Sequence, residues 1–254
     1  KKMDDNRRRN INDLEDSEKL IQGAQEFGVF LSNEQIRKFL VHNLMISKRN
    51  HQMNLTRVTN WDDAQTLHIL DAVSVYSVLK KILQNNDKIL DVGTGAGFPG
   101  IPLSIILPKV HFTLLEARRK KLDFLQSVIC KLELSNVDLI YGRAEELAHQ
   151  KPLRGTFDFV TARAVAPLST LVELTVPFLK LDGILVAQKS DKIRYELESA
   201  HNAIQTFGLK VESQHFFQGF EFMPPGRAIL LLKKMKLSPV EFPRRPGIPS
   251  KKPL

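Results

Sequence analysis

Asp91-Val92-Gly93-Thr94-Gly95-Ala96-Gly97 closes a short apolar run, Lys88 to Val92, and precedes Pro99 to Leu107, which reads as a helix with proline near its start. A strand that ends in a glycine-rich turn and feeds a helix is the first βα unit of an open α/β sheet, whose ligands bind beyond the C-terminal ends of the strands. Glycine lets the turn take positive φ and approach a ligand with no Cβ in the way. The helix behind it aims unpaired N–H groups and a positive dipole end back at the turn.

Working outward, strand and helix alternate. His111 to Leu115 reads as a strand, Arg118 to Leu134 as a helix, Val137 to Tyr141 as a strand and Ala144 to His149 as a short helix. Phe157 to Ala162 (strand), Pro167 to Leu179 (helix), Ile184 to Gln188 (strand) and Asp191 to Phe207 (one long helix) follow. Leu209 to Phe217 and Ala228 to Lys233 are the final strands; no helix separates them, so one of them runs antiparallel. The alternation predicts a largely parallel sheet with helices on both faces. Upstream, apolar residues at helical spacing predict helices over Leu14 to Phe30, from a cap at Asn33 through Leu44, and from a cap at Asp62 or Asp63 through Val78. Three parts result: a helical N-terminal extension over 1–85, the α/β domain over 86–234 and a basic tail over 235–254.

Two cofactors compete for the turn. Gly95 to Gly100 satisfies G-x-G-x-x-G, the dinucleotide fingerprint, whereas Asp91 with Gly93, Gly95 and Gly97 satisfies D-x-G-x-G-x-G, the form that binds S-adenosylmethionine. A carboxylate at Asp91 repels a pyrophosphate and suits an amino-acid ligand that carries cations. Pro99 and Pro102 remove two N–H groups from the helix start, which weakens a phosphate cradle. Both features favour S-adenosylmethionine; a nicotinamide oxidoreductase is the alternative. Glu116, at the end of the second strand, is placed to accept ribose hydroxyls from either cofactor. Ala144 and Glu145 follow the third strand, where they could frame an adenine. Arg163 ends the fourth strand at the rim of the ligand crevice. Phe98, beside the turn, is a candidate to stack on a base or simply to pack.

Composition bounds the rest. The 254 residues are 43% apolar, enough for a sizeable core, with no run long enough to span a membrane and no apolar leader stretch near the start. Cys130 is the only cysteine, which suits a reducing cytosol, and on a helix it reads as a small buried hydrophobe. No cysteine or histidine cluster has metal-ligand spacing, so no metal is expected. The net charge is +9, and from Lys233 onward seven Lys/Arg face one acid, Glu241. Such a segment either attracts polyanions by counterion release or is a solvated tail. His68 and Asp71 share a helix face, with no role that follows from spacing.

At these residues the chain resembles the bacterial glucose-inhibited division protein B family, the small-subunit ribosomal RNA guanine-N7 methyltransferases. The matching pieces are MNLTRV (Met53 to Val58), HILDAV (His68 to Val73), DVGTGAGFPGIPL (Asp91 to Leu103), GRAEEL (Gly142 to Leu147), TARAVAPL (Thr161 to Leu168), PFL (Pro177 to Leu179) and FPRRPGIPSKKPL (Phe242 to Leu254). The resemblance implies a seven-stranded Rossmann-like class I S-adenosylmethionine-dependent methyltransferase fold behind a helical extension. It implies methyl transfer to N7 of a guanine in the decoding-region loop of 16S ribosomal RNA, free or in a small-subunit assembly particle. Cofactor contacts carried over fall on Gly93, Phe98, Ala144, Glu145 and Arg163, beside Asp91, Gly95, Gly97 and Glu116 read from the turn. Arg163 and Lys189 are the implied catalytic pair, Arg143, Lys189 and Arg227 are the implied RNA contacts, and the charge of the tail adds Arg244 and Arg245 to them. A cytoplasmic monomer is expected. Guanine N7 carries a lone pair and no proton, so its methylation needs no general base. Accordingly, Ala162-Arg163-Ala164-Val165 stands where amine methyltransferases carry N/D-P-P-Y/F. A fold kept only for binding RNA is a second alternative, against which the intact turn, Glu116 and Arg163 together argue.

Overall fold

The computed structural model describes residues 16–254. Leu14, expected in the first helix, lies outside the described residues; α1 spans Glu18–Glu26. α2 (Asn33–Met53) begins one residue earlier in its capping than the sequence suggested, because Ser32 and Gln35 form a reciprocal capping box. α3 (Trp61–Ala64), a π-helical segment (Gln65–Leu70) and α4 (Asp71–Leu79) form a continuous helical run. Its cap is Asn60, whose side chain accepts from the Asp63 amide, rather than either aspartate.

The sheet contains β1 (Lys88–Val92), β2 (His111–Glu116), β3 (Val137–Tyr141), β4 (Phe157–Arg163), β5 (Leu179–Ser190), β6 (Leu209–Phe216) and β7 (Arg227–Lys234) in the order β3-β2-β1-β4-β5-β7-β6. β7 is antiparallel to both neighbours, and the other adjacent pairs are parallel. The order reverses between β1 and β4, which puts the switch point of the sheet at the glycine turn. The connecting helices are α5 (Gly100–Ile106), α6 (Arg119–Leu132), α7 (Ala144–Leu147), α8 (Leu168–Thr175), α9 (Ile193–Ser199) and α10 (His201–Phe207), with α11 (Ile248–Lys251) in the tail.

Three boundaries and the exposure of Cys130 differ from expectation for local reasons. The long helix expected over Asp191 to Phe207 breaks at Ala200, where the Ser199 hydroxyl bonds back to the Tyr195 carbonyl and bends the chain. α8 ends at Thr175 and passes into a 3₁₀ turn (Val176–Phe178), since Pro177 brings no N–H to the helix ladder. β5 starts at Leu179, five residues early, because Asp182 and Gly183 are absorbed as an irregularity inside the strand instead of ending it. Cys130 is exposed, off the buried stripe of α6 formed by Phe124, Leu125, Val128, Ile129 and Leu132.

Alternate strand residues feed two cores, one on each face, as the twofold pleat requires. Ile89, Phe112, Val186 and Ile229 pack with Leu20, Phe27 and Phe39, so the N-terminal helices share a core with the sheet. Leu90, Val160, Leu185 and Leu230 pack with Leu171, Phe178 and Phe207 on the opposite face. The tail is strapped to that second face. Arg154 holds the carbonyls of Ser238, Pro239 and Phe242, His149 reaches the Pro243 carbonyl, and Thr170 reaches Pro249.

Candidate active site

The turn after β1 curls over the strand end. Gly93, Gly95 and Gly97 all have positive φ. At Gly97 a Cβ would come within 2.6 Å of Ile101 Cγ1, so only glycine fits there. At Gly95 a Cβ would meet no protein atom nearer than 3.9 Å, so this side of the turn is open. Asp91 lies under the turn and is fully buried: its carboxylate accepts from the Gly100 amide at 3.0 Å and the Thr161 hydroxyl at 3.2 Å. Burial raises its pKa to about 6. The charge expected to select a ligand therefore braces the start of α5 instead. Glu116 accepts from the amides of Gly95 and Arg118, one on each oxygen. Each of its oxygens retains a lone pair for a ligand hydroxyl.

Phe98 is buried at the centre of a stack. His68 lies 4.6 Å from its ring on one side, His42 lies 5.0 Å away, and the Arg163 guanidinium sits 5.0 Å from its centroid. The ring packs against protein groups on several sides, whatever else it touches. Both imidazoles are pushed down to about 4, chiefly by burial, so both are neutral at pH 7. His42 Nε2–H donates to the Ala96 carbonyl and so ties α2 to the turn. His68 bonds to Thr56 of the loop after α2 and sits in the π-helical segment, a distortion that often marks functional positions.

Asp71 gathers the opposite rim. Its carboxylate receives Arg163 at 2.8 Å on one oxygen and Arg227 at 3.4 Å on the other, and its carbonyl accepts from the Gln188 amide nitrogen. Arg163 closes β4, and Ala164 beyond it takes φ +55°, a strained value of the kind held at working sites. Lys189 is mostly enclosed and donates to the Ala166 carbonyl and to Glu196, which also accepts from the Leu168 amide. Its ammonium thus fastens the loop after β4 to α9. Asp71, Arg163, Gln188, Lys189 and Arg227 border a cavity of about 200 Å³.

Of the expected cofactor residues, Gly95 and Glu116 meet directly at the turn, Gly93 and Gly97 shape it, Asp91 is buried beneath it, and Phe98 and Arg163 pack on one another at its side. Ala144 and Glu145 start α7 after β3, although Glu145 also accepts from the Gly247 amide of the tail. An open glycine cradle next to a carboxylate with free lone pairs suits an amino-acid nucleoside.

Residues 33–222 match the profile of the GidB family, rRNA small subunit methyltransferase G. The chain belongs to this family. Among relatives, the ribosomal RNA small subunit methyltransferase G of Alkaliphilus metalliredigens is 37% identical over 92% of this chain and 97% of its own length. Its counterpart in Dehalococcoides mccartyi is 40% identical over 92% and 98%. The crystal structure of P. horikoshii TYW2 in complex with MeSAdo shares the fold, with a TM-score of 0.51 and 14% identity over 65% of this chain and 63% of that one.

In this methyltransferase the expected RNA contacts divide. Arg143 and Arg245 are exposed and Arg227 is half-exposed on the rim. Arg244 is not free: its guanidinium grips the fully buried Glu173 of α8 at 2.6–3.2 Å and also the Lys252 carbonyl, and the bonds to Glu173 raise its pKa. Three contributors escaped the sequence reading. His42 was not singled out, Asp71 had no assignable role, and Gln188 read only as the end of a strand. The one available signal was that all three are polar side chains at positions otherwise filled by core residues.

Proposed function

We propose that this protein transfers the methyl group of S-adenosylmethionine to N7 of a guanine in the decoding-region loop of 16S ribosomal RNA, acting as a cytoplasmic monomer on the RNA or on a small-subunit particle. Among the described residues, no helix is long and apolar enough to cross a membrane. The cofactor is S-adenosylmethionine, which supplies a methyl group made electrophilic by its sulfonium. The turn glycines and Glu116 would hold its amino-acid and ribose parts, and Ala144 and Glu145 its adenine.

One observation carries the choice of N7: the titratable groups around Arg163 that could act as a base are already committed. His68 is neutral with Nε2 engaged by Thr56, Asp71 is held by two arginines, and Lys189 is held by Glu196. Such a site can position a base but has no unengaged group to strip a proton from an exocyclic amine. N7 needs no such step, because its lone pair attacks the methyl in line with the departing sulfur. Catalysis then rests on orientation. Arg163, paired with Asp71, donates to guanine O6 or a nearby phosphate, and the carboxylate tempers its charge against the positive charge that develops on the base.

Single-turnover methyl transfer to small-subunit particles, followed from pH 6.5 to 9, tests the reading. A level rate is expected. A rate that climbs tenfold per pH unit would mean that a proton is removed in the rate-limiting step, and the target would not be N7. In the same assay Arg163→Ala loses methyl transfer while cofactor affinity stays within a few-fold by calorimetry; an equal loss of cofactor affinity would move Arg163 to the cofactor.

A further inference from the structure

We propose that the cavity of about 200 Å³ bordered by Asp71, Arg163, Gln188, Lys189 and Arg227 seats the target base, and that Gln188 is the residue that reads it as guanine. The proposal rests on the reading of the protein as a guanine methyltransferase and names the specificity element of that reaction. The cavity is smaller than the sites that enclose drug-sized ligands, so it suits one ring system, not a whole nucleotide. It lies at the C-terminal ends of β4 and β5, next to the turn.

Two of the residues that line the cavity each carry a buried polar atom without a hydrogen bond: Oε1 of Gln188, an acceptor, and Nε of Arg227, a donor. Arg227 Nε faces Asp71 at 3.4 Å as an ion pair only. Buried polar atoms are nearly always satisfied, and an exception beside a cavity leaves a bond for a ligand or a water to supply. Gln188 is 6% exposed and cannot relieve its own oxygen. Its Nε2 donates to the Asp71 carbonyl at 2.7 Å, so turning the amide over would set two oxygens against each other. The oxygen is therefore held in place, and held waiting.

An acceptor and a donor on neighbouring strands match guanine when the donor meets position 6 and the acceptor meets position 1 or 2. Guanine offers O6 as acceptor with N1–H and the 2-amino group as donors, whereas adenine offers a donor at position 6 and an acceptor at N1. Enzymes that act on an extruded base read this Watson–Crick edge. Gln188 Oε1 accepts from guanine N1–H or the 2-amino group, and Arg227 Nε–H donates to O6. N7 is not part of that edge and stays free for the methyl group.

The test uses small-subunit particles reconstituted with guanine, inosine or 2-aminopurine at the methylated position, assayed with the full-length wild-type protein, Gln188→Met and Gln188→Glu. Inosine lacks the 2-amino group, and 2-aminopurine lacks O6 and N1–H. Wild type is expected to prefer guanine over at least one analogue by about tenfold to a hundredfold, the change that one lost buried hydrogen bond brings. Gln188→Met is expected to slow guanine and erase the preference that depends on the acceptor, with cofactor affinity and melting temperature close to wild type. Gln188→Glu keeps an acceptor oxygen and so keeps the preference, although it loses the bond to the Asp71 carbonyl. If Gln188→Met and Gln188→Glu lose the preference alike, the residue acts only through that bond and the proposal fails. It also fails if Gln188→Met retains the full preference, or if wild type shows none. Wild type producing no 7-methylguanosine on guanine particles would instead overturn the functional reading beneath it.

Discussion

Replacing Arg244 by methionine removes the cation opposite Glu173, the acid at the centre of the apolar helix α8. The arginine supplies three side-chain contacts to the carboxylate and one to the Lys252 carbonyl, while the backbone amide of residue 244 supplies a fourth to Glu173. Removing one partner of a buried pair costs about 3–5 kcal/mol, because the remaining charge is stranded. Here the surviving backbone bond and the partial exposure of the arginine, 27%, place the loss near the lower end, about 3 kcal/mol. For a chain of this size that is roughly 6–12 °C in melting temperature. Differential scanning calorimetry of Arg244→Met measures it. Combining it with Glu173→Leu removes the stranded charge and is expected to recover most of the loss, since apolar replacements of buried pairs are often neutral. A single variant that melts with wild type, or a double variant no better than the single, would refute the strap.

The exposed neighbour behaves differently. Arg245→Ala is expected to leave the melting temperature unchanged and to lower the slope of log affinity for 16S RNA against log salt by about one, whereas Arg244→Met leaves that slope alone; a reversed pattern would return Arg244 to the RNA. Gly95→Ala keeps the fold, at about 1–2 kcal/mol for the left-handed backbone, and weakens S-adenosylmethionine binding in calorimetry. Gly97→Ala, which also drives a Cβ onto Ile101, loses about 2–5 kcal/mol; equal stability for the two would contradict the open side of the turn. Stability also falls with acid. His42 and His68, at about 4 in the folded protein against 6.5 unfolded, let the unfolded chain take up protons first, so their contribution is whole above pH 6.5 and each loses about 2 kcal/mol between pH 7 and 5. Asp91, raised to about 6, binds its proton first in the folded state and returns about 1 kcal/mol over the same interval. Urea denaturation at the two pH values should show a net loss of about 2 kcal/mol; equal or greater stability at pH 5 would contradict it.

The sheet was readable because each strand announces itself as a short apolar run bounded by turn residues, and β1 and β3 fall where those runs stand. The turn was readable because positive φ demands glycine. What escaped were pairings across long stretches of chain. Asp71 and Arg163 stand 92 positions apart, and no periodicity joins them. The tail misled through its composition: seven cations suggested RNA, while one of them answers a buried acid 71 positions earlier. Glu173 was the clue, a lone carboxylate among leucines and valines that could be buried only with a partner. Asp91 misled in another way. Sequence placed it at the ligand-bearing end of a strand, but the side to which its carboxylate turned depended on the open amide of Gly100.

Methyl transfer to a defined guanine is the central claim. Small-subunit particles from a strain lacking the gene, treated with the purified protein and S-adenosylmethionine, can be digested to oligonucleotides and mapped by mass spectrometry. One new 7-methylguanosine in the decoding-region loop of 16S RNA, absent with Arg163→Ala, is the expected result. A methyl group on an exocyclic amine, on another base or in another region would contradict it.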